Sequence, residues 1–290
     1  MQKYADVFVL LAGVLWGLVG PVVKSLRDLG LTSIQISALR WIFAGILMIA
    51  IVFILDKKLL KIHIRDIWWF FCTGVICILL SSTLYFVTMP LASVAVANVL
   101  MYTSPVWIMI FAVILFGEKI TRNKVLALLL AFFGCILITG ILNPGGFAVT
   151  LLGLFTGLGS GLLYGLYSIF GKFVLKKYDS ITVTLYTAAF AGFGALFIID
   201  IPQTFNLISG NINIVTNLAL IVFVMTIAPY TLYTLGLKNT LATRASIFSC
   251  IEPMTSALVG TIFMQEPFSI FQFAGIVMIL AAGLITQLKK

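Results

Sequence analysis

Apolar positions along the chain fall into ten long runs: 6–26, 33–55, 67–88, 92–116, 124–142, 150–173, 181–200, 214–236, 241–264 and 270–287. All are too long for strands. About 20 apolar residues are enough for a helix to cross a bilayer. Backbone groups in lipid must pair within their own segment, so the runs predict spanning helices. Polar residues are confined to short connections. Asn143-Pro144-Gly145-Gly146 predicts a turn, and 201–213, with Pro202, Asn206, Ser209, Gly210 and Asn211, predicts the longest loop.

Composition sharpens this picture. Of 290 residues, 62% are apolar and only 9% are charged, against about 25% charged in a soluble domain. Mean hydropathy is +1.19. Such a chain cannot cover itself with a wettable surface, which excludes a water-soluble enzyme. Ten helices use roughly 200 residues and leave about nine per connection, too few for an extramembrane domain. The first run holds Gly13, Trp16, Gly17, Gly20 and Pro21 and lacks a basic leader followed by a cleavage site, so it reads as a retained helix. Cys72, Cys77, Cys135 and Cys250 all lie inside apolar runs and read as small buried hydrophobes, with no disulfide or zinc spacing.

The net charge of +9 acquires meaning once the runs are threaded. Fifteen of the eighteen Lys and Arg fall on the side that holds the N-terminus; Lys24 and Arg27 fall on the other, and Arg40 lies within the second run. Basic residues accumulate in cytoplasmic loops. The bias predicts a multi-pass protein of the cytoplasmic membrane with both termini inside, and it removes the nucleic-acid reading of a basic chain.

Shifting the sequence by 148 residues pairs Gly13 with Gly161, Trp16 with Tyr164, Gly17 with Gly165, Lys24 with Lys172, Tyr85 with Tyr233, Ala97 with Ala245, Pro105 with Pro253 and Glu118 with Glu266. The chain has three glutamates, and two of them are one shift apart. The shift also lays five runs on five. Five is odd, so the second copy would enter the membrane from the opposite side. The predicted fold is all-α, ten transmembrane helices in two inverted five-helix repeats, 1–143 and 144–290. Inverted pairs of this kind are typical of secondary transporters, which open a midplane site to each side in turn.

Particular residues carry a family likeness. Gly13-Val-Leu-Trp16-Gly17, the Arg40-Trp41 pair, Tyr102-Thr-Ser-Pro105 leading to Phe116-Gly117-Glu118, and Ile251-Glu252-Pro253 leading to Gln265-Glu266 resemble the EamA branch of the drug/metabolite transporter superfamily. The chain departs from the pattern with Tyr164 in the place of Trp16, Ala188 where Arg40 projects, and Gln265 where a glycine is usual. The resemblance implies export of amino acids and related metabolites, with drugs or nucleotide sugars as the wider range. It also implies a site enclosed by the first, third, fourth, sixth, eighth and ninth runs.

Enzyme chemistry finds no footing. The single histidine, His63, sits in a charged connection, Asp200 lies alone at a run end, and there is no His-Glu-x-x-His or phosphate-cradling glycine loop. No catalytic residue, cofactor or metal is expected. Ionisable groups inside the membrane are functional by default. Arg40 can fork onto a carboxylate or fix the bundle by snorkelling. Glu252 shares a face with Ala245, Ser249 and Ser256; it can bind an ammonium or exchange a proton, or serve the backbone groups freed by Pro253. Glu118 and Glu266, at run ends, read as capping or interdomain groups. Pro105 and Pro253 break backbone bonding and are candidates for helix breaks and gating. Trp16, Asn98, Tyr102 and Tyr164 are candidates for a pocket wall. Tyr85, Tyr230 and Tyr233 fit either a wall or an interfacial anchor.

The expected function is outward movement of a small polar metabolite, an amino acid or similar zwitterion, by alternating access. The expected partners are a small-molecule substrate, the bilayer and, as a candidate, protons; monomer and homodimer both fit. Efflux of lipophilic or quaternary cations and a non-transporting membrane module are the alternatives.

Overall fold

The computed structural model describes residues 4–92, 94–139, 150–265 and 268–287. The turn expected at Asn143–Gly146 and the acidic residue Glu266 lie outside these. Helix makes up the ordered elements throughout. In chain order they are α1 (Ala5–Gly17), α2 (Val19–Asp28), α3 (Ser33–Leu55), α4 (Ile67–Phe71), α5 (Ser81–Leu91), α6 (Val94–Met101), α7 (Ser104–Phe116), α8 (Arg122–Ile138) and α9 (Leu151–Leu175). They continue as α10 (Ser180–Ala195), α11 (Ile201–Ile208), α12 (Ile212–Val222), α13 (Ala228–Asn239), α14 (Ala242–Ser249), α15 (Ile251–Met264) and α16 (Ile270–Gln287). A π-helical segment, Cys72–Leu80, joins α4 to α5, and a second, Phe223–Ile227, joins α12 to α13.

Polar residues at the ends of the apolar runs start the helices. Thr32 and Gln35 form a reciprocal capping box on α3. Thr121, Thr150, Asp179 and Asn211 accept backbone N–H groups at the starts of α8, α9, α10 and α12. The stretch expected as the longest loop is different in the structure. Asp200 accepts the Gln203 N–H at 3.0 Å, Pro202 occupies the first turn, and residues Ile201–Ile208 form α11. This short helix is docked by Thr204, whose hydroxyl accepts from the Gln35 amide at 3.1 Å. That long-range contact is what a local reading of turn residues misses.

Among the described residues, seven helical stretches are long and apolar enough to cross a membrane: Ala5–Asp28, Ser33–Leu55, Ile64–Leu91, Val96–Phe116, Leu151–Leu175, Ile212–Asn239 and Ala242–Met264. Large apolar side chains on their outer faces, such as Ile54 and Phe263, are fully displayed. An apolar exterior on long apolar helices makes this a multi-pass membrane protein. The helices approach one another through small residues. A Cβ on Gly134 would meet the Gly275 carbonyl oxygen at 2.8 Å, joining α8 to α16, and one on Gly192 would meet the Trp41 carbonyl oxygen at 2.6 Å, joining α10 to α3. The α6–α7 pair packs on α9, and the α14–α15 pair packs on α1.

Three runs expected as single helices are broken: α1 stops at Gly17, α6 at Met101 and α14 at Ser249. In each case the stop lies four residues before a proline, Pro21, Pro105 or Pro253. A proline ring clashes with that carbonyl and leaves it without its usual N–H. Pro105 and Pro253 therefore lie in the first turns of new helices, not in the middle of kinked ones.

Candidate functional site

The breaks deliver the polar groups to the interior. Glu252 occupies the first turn of α15, directly after the break. The positive end of a helix stabilises a carboxylate there by roughly 0.3–1 kcal/mol. Arg40, in the first half of α3, lies within electrostatic reach of Glu252. Glu252 is electrostatically coupled to Arg40, and also to Tyr85, Tyr102, Tyr164 and Tyr230. Yet no ion pair joins Arg40 to Glu252: the four ion pairs among the described residues lie elsewhere. Arg40 Nε is buried without a hydrogen-bond partner among the described residues. Arg40, Tyr85, Asn98, Tyr102, Tyr164 and Glu252 all keep partial solvent access.

One wall is aromatic. Trp16 of α1 packs on Tyr230 and Tyr233 of α13, with ring centroids 5.1 and 5.4 Å apart. Tyr230 also meets Trp41 at 5.0 Å and Tyr167 at 5.6 Å. Tyr230 and Tyr233 are buried, so they are part of this wall and not interfacial anchors. The Tyr233 hydroxyl is taken by Ser168 at 2.6 Å. On another side, the Tyr85 hydroxyl donates to Asn98 Oδ1 at 2.5 Å, tying α5 to α6. Tyr102 sits in the break between α6 and α7.

Ser249 ends α14, at the break before α15. Its hydroxyl donates to the Ser246 carbonyl at 2.8 Å, within its own helix, while its own carbonyl lies against Gly13 of α1. Trp41, Tyr167 and Ser168 pack or hydrogen-bond beside the expected residues. Trp41 Nε1 and the Tyr167 hydroxyl are buried without a hydrogen-bond partner. The sequence signal for Tyr167 and Ser168 is their position on the Tyr164 stripe of α9. Trp41 is marked only by following Arg40.

Glycines bring the broken helices together. A Cβ on Gly17 would stand 2.8 Å from the Glu252 carbonyl oxygen and 2.5 Å from Thr255 Cβ. A Cβ on Gly161 would stand 2.6 Å from the Leu100 carbonyl oxygen. The breaks before Pro253 and Pro105 thus lie against the glycine ridges of α1 and α9.

The lysine-rich end of the molecule is closed by polar contacts. Glu118 is buried, pairs with Lys124 at 3.0 Å and accepts the Ala242 N–H that begins α14 at 2.9 Å. Asp6 pairs with Arg244 at 2.5 Å and accepts from Thr240 at 3.3 Å. Asp66 accepts from Lys177 and, at 2.5 Å, from the Tyr178 hydroxyl. Its hydrogen bond holds the Lys177 ammonium above the ordinary lysine range.

The two halves of the chain each match the same family description, EamA-like transporter family, over residues 3–140 and 151–287. An "uncharacterized transporter" of Archaeoglobus fulgidus is 28% identical over 282 residues, covering 95% of both chains. The "uncharacterized inner membrane transporter YicL" of Salmonella typhimurium is 24% identical, over 97% of this chain and 94% of its own. A solved crystal structure shares the fold with a TM-score of 0.83 at 18% identity, over 99% of this chain and 97% of that one. With both halves matched and the apolar helical architecture in place, this chain belongs to the EamA-like transporter family.

Proposed function

We propose that this protein is a secondary transporter that moves a small polar metabolite, an amino acid or related zwitterion, outward across the cytoplasmic membrane by alternating access. One observation carries the reading. Arg40 and Glu252 lie within electrostatic reach of each other without forming an ion pair, and Arg40 Nε is buried without a hydrogen-bond partner among the described residues. Ionisable groups inside a membrane bundle are costly and mark substrate pathways, so this arrangement suits a ligand that brings both charges. A carboxylate would take the Arg40 fork and an ammonium would take Glu252, with Trp16, Asn98, Tyr85, Tyr102, Tyr164 and Tyr230 shaping the space.

The reading includes ten crossings in two inverted repeats, 1–143 and 144–290, with both termini cytoplasmic. Helix boundaries recur 148 residues apart: Val94–Met101 with Ala242–Ser249, and Arg122 with Ile270 as helix starts. The left-handed residues that end α7 and α15, Gly117 and Gln265, are also one shift apart. The double family match is in keeping with them.

The test is transport by purified protein in liposomes. A stabilisation screen of metabolites supplies the candidate, and counterflow with a labelled hit supplies the rate. Arg40→Gln and Glu252→Gln should each lower counterflow at least tenfold while leaving melting temperature within a few degrees. Wild-type rates in both variants would remove these residues from the site. The aromatic wall favours one further ligand class, lipophilic cations, through cation–π attraction. Arg40 opposes it, and competition between amino acids and such cations in the same screen separates the two.

A further inference from the structure

Lys172, in the last turn of α9, donates to the carbonyl oxygens of Leu237, at 3.1 Å, and Thr240. These are among the final carbonyls of α13 and its exit, the negative end of that helix. Thr240 is in turn bound to Asp6, and Asp6 to Arg244. Lys172 therefore straps α9 onto α13 at the lysine-rich end, inside the network that closes that end.

Lys24 is the residue 148 positions earlier. The counterparts of Leu237 and Thr240 at the same spacing are Met89 and Ala92, at the end of α5. Lys24 is not docked there. It is exposed, and with Pro21, Ser25, Asp28, Phe263 and Gln265 it lines an open concavity of about 470 Å³ between α2 and α15. The two lysines are thus in opposite states at opposite ends of the molecule. One end is strapped by its lysine, and the other is not.

We propose that Lys172 and Lys24 are exchanging latches. When access switches, Lys172 leaves the carbonyls of Leu237 and Thr240, and Lys24 docks on those of Met89 and Ala92. This rests on the inverted-repeat reading, in which switching exchanges the conformations of the two halves. The latches are unequal. The Asp6–Arg244 pair that reinforces Lys172 maps, one shift along, onto Leu154 and Val96, which carry no charge. The lysine-rich end is therefore the better sealed of the two, and the conformation with that end closed is the resting one.

Spin-label distances on the full chain, with its four cysteines replaced, test this. One label pair at positions 176 and 239 reports the lysine-rich end; another at 27 and 87 reports the opposite end. K172Q should shift the ratio of the two conformations about tenfold, the loss of roughly one charge-assisted hydrogen bond, lengthening the first distance and shortening the second. K24Q should shift both distances the other way, and K172R should restore the original distributions. Distances at the two ends that move oppositely on adding substrate but ignore both lysines would overturn the latches and leave alternating access standing. Ends that never move oppositely would remove the inverted-repeat reading with them.

Discussion

Gln265 is the one non-glycine residue with a left-handed backbone among the described residues, with φ at 55°. Its counterpart at the end of α7 is Gly117, with φ at 64°. A side chain in that conformation costs roughly 1 kcal/mol, which glycine avoids. Gln265→Gly should therefore raise stability by about 0.5 kcal/mol, part of the relief being lost to the greater freedom of glycine in the unfolded chain. A higher melting temperature in detergent is the expected result; a lower one would mean that the Gln265 side chain holds a contact of its own. At this scale the site was legible where charge contrasts with its surroundings. Arg40 and Glu252 stand out in apolar runs, and the structure couples them. Tyr167 and Ser168 are visible only as members of the Tyr164 stripe, and Trp41 only as the neighbour of Arg40, because an uncharged residue in an apolar run offers little contrast. The shared helical face says nothing of the Ser249 hydroxyl, which donates to the Ser246 carbonyl of its own helix.

Between residue and molecule lies the helix, and here the glycine ridges and the prolines act together. Proline stops a helix four residues upstream, and glycine on the neighbouring helix lets the exposed turn approach. Gly17→Ala would set a methyl group 2.8 Å from the Glu252 carbonyl oxygen, so α1 and α15 must separate. Overpacking of this kind costs about 1–3 kcal/mol and would move the very turn that carries Glu252. Gly20→Ala is the control: nothing lies within 4 Å of the added carbon, and alanine in a helix is favoured by about 0.5–1 kcal/mol. Melting curves and counterflow rates should separate the two, with Gly17→Ala losing both and Gly20→Ala losing neither. The existence of apolar helices was legible from run length alone. Their breaks were legible only in part. The prolines were visible, but whether a helix bends or restarts depends on the close packing of a partner, Gly17 for Pro253 and Gly161 for Pro105. The helix α11 was hidden for the same reason, since its docking residue, Thr204, meets Gln35 far away in sequence.

For the molecule as a whole, charge and architecture reinforce each other. The basic connections do more than mark a side, because the structure ties several of them into cross-chain contacts: Lys177 with Asp66, Arg244 with Asp6, Lys124 with Glu118, and Lys238 with Asp179. Most of these pairs are partly exposed, and exposed pairs contribute little each. Their shared location matters more, since all four lie at one end of the bundle, the end the charge bias assigns to the cytoplasm. That assignment has a direct test in intact cells. In a chain whose native cysteines are replaced by Ser or Ala, Lys58→Cys and Arg27→Cys place one exposed thiol at each end. A membrane-impermeant maleimide added outside should label the cysteine at 27 and spare the one at 58 until the cells are opened. The reverse pattern would turn the molecule over, and with it the side on which the latch at Lys172 closes. Labelling of both from outside would show that residues 27 and 58 do not lie on opposite sides of α3, and the threading of the chain through the bilayer would have to be redrawn from its second helix onward.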